Sequence, residues 1–372
     1  TNMSSPSQTR RHLVPVALHM ERRLEKPRGM GVLTTIGAVV VALLISAVLI
    51  WTQGGTPIDA YAHIARSSVG SIGVLSDTLV KATPLIFTGL ACAVAFRMRL
   101  WNIGAEGQLM MGAWGASAVV LVGWLPEGTA SFIYLPLMIL AGLGMGALWG
   151  GLAGWLKARL NVNEIITTLM LVYISQEFVK FWVFGPWSEG GFQMSARFPR
   201  EAWLPRLTDH SDLVSDFAGL TVHLGFVLAV VAAVAVWWFL NRTGKGYEIR
   251  LIGDNPRAAR YAGIDIGRTI ILVMVISGAL AGLAGAAEIS GVVHRLQDNF
   301  SPGYGFTGII VAFLARFNPL GVIVAAIAFG ALILAGREIQ PAGIPQMIQG
   351  VVLFCVIASD VFLRYKIRLV RQ

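Results

Sequence analysis

The apolar residues of this 372-residue chain come in blocks of roughly 20, separated by short polar breaks. A helix rises about 1.5 Å per residue, so one such block crosses the roughly 30 Å of hydrocarbon in a bilayer. Charged residues make up 13% of the chain, against about 25% in soluble proteins, and mean hydropathy is +0.68. Neither a soluble globular domain nor a disordered chain has this pattern. The sequence reads as an all-α, polytopic transmembrane helical bundle.

Ten apolar segments are expected to span, at 31–51, 79–97, 103–124, 132–156, 164–184, 220–240, 268–290, 304–316, 319–336 and 344–363. Residues 58–78 are too polar to cross and are expected to form a helix on the outer surface. The first span has no small-residue cleavage site behind it and reads as a retained helix, not a signal peptide. It divides the chain into a basic cytoplasmic tail, 1–31, and a transmembrane domain, 32–372.

Orientation follows from the basic residues. With the N-terminus inside, 21 of the 29 Lys and Arg fall on the cytoplasmic side; the reverse orientation leaves eight there. The positive-inside rule therefore predicts that both termini are cytoplasmic. The net charge of +9 is a topology signal and not a nucleic-acid footprint. Cys92 and Cys355 sit inside apolar blocks, and the six histidines show no metal-ligand spacing, so no metal or disulfide framework is expected.

Two segments break the regular pattern. Gly305 to Ala315 spans only about 16 Å as a helix and is bracketed by Ser301-Pro302-Gly303 and Asn318-Pro319. The stretch from Asn102 to Gln108 puts Glu106 and two amides at the mouth of the third span. Interrupted segments are tolerated only where protein or a water-filled cavity surrounds them, which points to a transport path. Both regions carry Phe-Thr-Gly followed eight positions later by Arg, ending at Arg97 and Arg316. Both copies run outside to inside, unlike an inverted repeat, and are read as coincidence.

Other polar residues near the spans are Lys81, Glu164, Glu177 and Glu288, each close to a predicted end where snorkelling explains them. Gly142, Gly146, Gly150 and Gly154 recur every four residues, a small-residue stripe suited to close helix packing.

The inner loop 242–268 carries the strongest local signal. Asn255 suits an N-cap, Pro256 the first helical position and Gly263 the left-handed cap. They bound one short helix containing Arg257, Ala259, Arg260 and Tyr261, preceded by Gly253. Its small residues and the protruding Tyr261 suit docking into a cleft of another protein.

This loop resembles the coupling helix of an ABC importer permease, through which a membrane subunit engages its ATPase. Thr88-Gly89-Leu90-Ala91, Ala95-Phe96-Arg97 and Trp101-Asn102-Ile103-Gly104-Ala105-Glu106-Gly107-Gln108 are similar to the signature of the ribose and branched-chain amino-acid permease superfamily, nearest its nucleoside-type branch. Asn163-Glu164-Ile165-Ile166-Thr167-Thr168-Leu169-Met170 and Ser277-Gly278-Ala279-Leu280-Ala281-Gly282 extend the resemblance. Val172 departs from the asparagine many relatives carry, and the outer loop 185–218 has no mapped pattern.

The resemblance implies an inner-membrane permease that pairs with a second homologous permease. A cytoplasmic ATPase and an extracytoplasmic binding protein delivering nucleosides complete the implied machine. Gly244-Lys245 lacks the rest of a phosphate-binding loop, so the chain itself binds no cofactor and ATP and Mg belong to the partner ATPase. Nucleoside recognition needs aromatic faces, amides and hydroxyls. Trp101, Asn102, Glu106, Gln108, Thr167 and Phe306 are the candidate path residues. A simple sugar such as ribose is the alternative cargo. An ion-coupled secondary transporter is the alternative class, disfavoured by the scarcity of mid-membrane acids.

Overall fold

A computed structural model describes residues 16–22, 29–123, 125–126, 128–212, 214–336 and 343–371. Most of the predicted basic tail, 1–15 and 23–28, lies outside the described residues, as do 124, 127, 213, 337–342 and 372. Each predicted span coincides with a helix. Seven helices are long and apolar enough to cross a membrane: α1 (Met30–Thr52), α3 (Ile72–Arg97), α5 (Ser131–Leu160), α6 (Glu164–Phe184), α7 (Leu224–Arg242), α10 (Ile266–Glu288, continued by a π-turn to Val293) and α13 (Ile344–Arg364). α4 (Ala105–Leu121), α11 (Tyr304–Leu314) and α12 (Pro319–Ala335) are shorter. α2 (Pro57–Val69), α8 (Gly244–Asp254) and α9 (Pro256–Tyr261) complete the helices.

The backbones of Val16–Arg22 (β1) and Tyr365–Arg371 (β2) pair antiparallel, with Val16 opposite Arg371. Apart from this one short ribbon, the regular structure of the described residues is helical, as the all-α expectation has it. The pairing brings Val16–Arg22 alongside the segment that follows α13.

α3 is the central element, apolar or small on every side and packed by α7, α10, α11 and α12; helices of that kind are buried. It starts at Ile72, seven residues before the predicted span, and the surface helix expected over 58–78 ends at Val69. The polar residues that suggested solvent are satisfied by protein instead. The Ser71 hydroxyl accepts from the Val74 N–H at 3.2 Å, the Ser76 hydroxyl from the Thr221 and Val222 N–H groups at 2.8 and 2.9 Å, and Asp77 from the Thr221 hydroxyl at 2.6 Å. Thr78 donates to the Ser68 carbonyl at 2.8 Å.

α5 crosses α10 through glycine. A Cβ on Gly142 would lie 2.7 Å from the Ala286 Cβ, one on Gly154 2.7 Å from the Met274 Cβ, and one on Gly146 would overlap the Gly278 carbonyl. All four glycines of the predicted stripe thus face α10, and Gly150 meets the Met274 carbonyl.

The Phe-Thr-Gly segments also find each other. α11 packs along α3, with Gly308 against Thr88 and Gly89 against Val311. Their arginines, Arg97 and Arg316, line one cavity.

Candidate functional site

The predicted loop 242–268 folds as two helices, where the sequence suggested one. The Thr243 hydroxyl caps α8 by accepting from the Gly246 N–H at 3.1 Å. Gly246 lies against the Leu240 and Phe239 carbonyls, so only glycine lets α8 turn back tightly onto the end of α7. Arg250 reinforces the corner by donating to the Leu240 carbonyl. The Asn255 side chain then accepts from the Arg257 and Ala258 N–H groups, both at 3.1 Å, and opens α9 with Pro256 in its first turn. Gly263 closes it at φ +81°. Ala259 is fully buried beneath the helix, while Tyr261 is 94% exposed. Arg257 and Arg260 are partly to fully open on the same turn and a half. The result is a rigid knob with an aromatic tip at the end of the bundle.

The candidate path residues do not converge. Asn102, Glu106 and Gln108 are buried inside the single chain. Asn102 Nδ2 donates to Gln108 Oε1 at 2.9 Å and to Ser277 Oγ at 2.8 Å; Gln108 Nε2 returns a bond to Asn102 Oδ1 at 3.1 Å. Ser277 passes the chain on to the Ala91 carbonyl at 2.7 Å, and the Gly104 N–H donates to Asn102 Oδ1 at 3.0 Å. This closed network ties the break before α4 to α3 and α10. Trp101 and Phe306 are exposed at different places, and half-buried Thr167 donates to the Asn163 carbonyl one turn back. Removing Asn102 leaves the buried Gln108 amide without its partner and takes from Ser277 the bond it accepts, so Asn102→Ala is expected to lower stability by about 1–3 kcal/mol. Thr167→Ala should change it by less than about 0.5 kcal/mol, both read as thermal unfolding in detergent.

Short α11 is held by the same interior. Tyr304, its first residue, meets the middle of α3: the Thr88 hydroxyl donates to the Tyr304 carbonyl at 3.0 Å and Lys81 Nζ to the Tyr304 hydroxyl at 3.2 Å. Glu106 accepts from the Gly305 N–H at 2.5 Å, so its carboxylate sits at the positive end of α11. Lys81 lies 3.7 Å from Glu288, whose carboxylate also accepts from the Tyr304 hydroxyl at 3.4 Å. Lys81 and Glu288 are both buried, which corrects the snorkelling reading for these two. Glu164, in contrast, pairs with Lys157 at 2.9 Å where α5 hands over to α6.

α6 shows a different face. Met170, Tyr173, Ile174 and Phe181 are exposed, and Glu177 pairs with Lys180 at 2.8 Å in the open, within the last two turns of the helix. An exposed ion pair part-way along a span is expensive against lipid and requires protein or water opposite.

At the far end of the bundle, the loop 185–223 folds back on the segment after α10. The Ser195, Phe198 and Leu204 N–H groups donate to the Leu296, His294 and Ser290 carbonyls at 2.7, 2.9 and 3.0 Å. His294 stacks on Trp203, with ring centres 3.7 Å apart, and Arg206 donates to its Nε2 at 2.8 Å and to the Gly291 carbonyl at 2.7 Å. Burial, then the Arg206 charge, pushes the His294 imidazole down to about 4; burial and Arg206 push His223 to about 3. Both rings stay neutral in the folded loop while an unfolded histidine takes a proton near pH 6.5. Their contribution is complete above about pH 6.5 and falls as pH drops toward 4. Protection factors at the Phe198 and Leu204 amides, taken relative to the intrinsic exchange rate at each pH, should therefore fall progressively below pH 6. His294→Gln should shrink that dependence, leaving the part due to His223.

The segment 74–357 matches the family model described as branched-chain amino acid transport system / permease component. The chain is 36% identical over 362 residues to the glucose ABC transporter permease protein TsgB13 of Haloferax volcanii, covering 95% of this chain and 94% of that one. It is 35% identical to the guanosine ABC transporter permease protein NupP of Bacillus subtilis, covering 88% and 93%. Against the nucleoside ABC transporter permease protein NupB of Lactococcus lactis it is 33% identical, covering 88% and 89%. The chain belongs to the ABC transporter permease family of the branched-chain amino acid type, as a multi-pass subunit of the cytoplasmic membrane whose ATPase resides in a separate subunit.

Proposed function

We propose that the chain forms one half of the membrane path of an ATP-driven nucleoside importer. In this reading its termini and α8–α9 face the cytoplasm, ten segments cross the membrane, and residues 1–31 precede the permease domain as a basic tail. The observation that carries the energy-coupling part is α9, capped at both ends and presenting Tyr261 to whatever docks there. A helix of six residues has little stability by itself, so a knob this firmly bounded suits transmission of force from an ATPase.

The open face of α6 supports a second homologous permease. Glu177 and Lys180 need a protein or aqueous neighbour, and a heterodimer with its path between the two subunits supplies one. Loop 185–218 then faces the delivering binding protein, and Trp101, Thr167 and Phe306 are the sequence-predicted path residues that keep an accessible face.

Nucleosides are the proposed cargo because the sequence motifs resemble the nucleoside branch and two relatives are named for guanosine and nucleosides. Sugars are the second reading, favoured by the glucose permease relative. The test is uptake of labelled guanosine into proteoliposomes holding the permease pair and ATPase, with binding protein outside and ATP inside. Uptake that needs all components and survives a hundredfold excess of glucose supports the nucleoside reading. Glucose uptake without guanosine uptake replaces it by the sugar reading, and uptake by this chain alone without ATP overturns both.

A further inference from the structure

A cavity of about 700 Å³ opens at the end of the bundle that carries α8, enclosed by the ends of α3, α11 and α13. Its charge is unbalanced: Arg97, Arg99, Arg250 and Arg316 face two carboxylates, Asp254 and Asp360. Two of the guanidiniums are already engaged by the fold. Arg250 donates to the Leu240 carbonyl, and Arg316 to the Thr35 and Thr34 hydroxyls of α1 at 2.6 and 2.8 Å. The Arg97 and Arg99 guanidiniums make no hydrogen bond or salt bridge among the described residues, and Arg97 is drawn only at longer range to the Asp254 carboxylate.

The opposite wall is aromatic. Trp101 stacks with Phe313 at 5.9 Å and 28°, and Phe96 and Phe317 close the group at 5.1 Å from Trp101 and Phe313 respectively. The rim is formed by two helix ends: past α3 the Leu100 N–H donates to the Ala95 carbonyl at 3.1 Å, and past α11 the Phe317 N–H donates to the Ala312 carbonyl at 2.9 Å. Arg99, Arg316 and Phe317 have φ of 60°, 52° and 58°, a left-handed conformation that bulky residues rarely adopt, and all three side chains line the cavity.

We propose that this cavity binds a phosphate-bearing ligand, its phosphate between Arg97 and Arg99 and its apolar or planar part against Trp101 and the phenylalanines. Guanidinium is the side chain suited to holding a phosphate through two N–H donors at once. The volume lies within the range of small-molecule sites. Two sources share this chemistry: the headgroup of an anionic phospholipid, since basic pockets at the inner ends of membrane helices hold such lipids, and a soluble nucleotide. The inference is independent of the cargo and of docking at α9.

The test uses the whole chain, purified in detergent and stripped of lipid, with two probes. Dioleoyl phosphatidylglycerol is compared with dioleoyl phosphatidylcholine by native mass spectrometry, and guanosine 5′-monophosphate with guanosine by calorimetric titration. At least one anionic probe should bind tenfold or more tightly than its counterpart. That preference should fall below threefold in Arg97→Gln and Arg99→Gln and largely persist in Arg99→Lys. Preference for phosphatidylglycerol assigns the lipid source, and preference for the nucleotide assigns the soluble one. No preference for either probe, or a preference unchanged in both glutamine variants, overturns the proposal. Arg99 is exposed in a turn, so its variants keep the fold if Arg97→Gln does not.

Discussion

Replacing Gly146 by leucine is expected to abolish the folded chain, and even Gly146→Ala should destabilise it by more than about 4 kcal/mol, outside the usual range for single substitutions. The reason is backbone contact. At Gly146 a Cβ overlaps the Gly278 carbonyl and lies 2.6 Å from the Gly282 Cα, so no side chain is available to move aside. The reverse holds too: a Cβ at Gly278 or Gly282 meets the Gly146 or Gly142 carbonyl. Relief requires the two helices to separate, which loses the close packing that drives helix association in lipid, where the hydrophobic effect no longer helps. α10 is itself packed on α3 and α4, so the displacement spreads into the core. Gly144, on the same helix, has nothing within 4 Å of a built Cβ. Gly144→Ala should therefore be neutral or slightly stabilising, by up to about 1 kcal/mol from helix propensity. Fluorescence-detected size exclusion with a temperature ramp distinguishes the pair. Equal behaviour of the two variants would refute this account of the α5–α10 crossing.

Tyr261→Ala is expected to leave the permease folded and to weaken its association with the ATPase by about 30-fold, the scale of a 2 kcal/mol aromatic hot spot. ATP-dependent uptake should fall to background. Tyr261 touches almost nothing in its own chain, so thermal stability should stay within about 0.5 kcal/mol. Ala259→Asp makes the complementary case: Ala259 is fully buried under α9, so a carboxylate there should detach the knob and lose both stability and coupling. Pull-down of the ATPase alongside uptake measures both. Full association and uptake in both Tyr261→Ala and Arg260→Ala would remove α9 from the coupling role.

Much of this was readable along the chain. α9 was legible because capping is local: Asn255, Pro256 and Gly263 act on N–H groups within a few residues. α8 was missed although Thr243, three positions before Gly246, was an available N-cap signal; Gly244 and Gly246 are poor helix formers that the turn back onto α7 holds in place. The start of α3 was misread because polarity was equated with water. Asp77 and Ser76 are answered instead by Thr221, about 145 residues away.

The candidate path shows the same division. Glu106, Gln108 and Asn102 are conspicuous as polar residues in an apolar stretch, and the sequence leaves open whether they face a passage or each other. Ser277, 175 residues from Asn102, and Gly305, 199 residues from Glu106, turn them into a closed interior network. Lys81 and Glu288 became an ion pair for the same reason. The matching Phe-Thr-Gly segments gained meaning only when α3 and α11 were seen to pack side by side, with both arginines in one cavity.

The residue order by itself determined the membrane class, the approximate position of each apolar helix, and the capped knob at α9. These depend on segment length, charge count and bonds across a few residues, all of which are local. Tertiary structure alone decided which polar groups are buried and which glycines touch backbone. It also decided which arginines meet around an aromatic wall, because each depends on residues that only the folded bundle brings within a few ångströms.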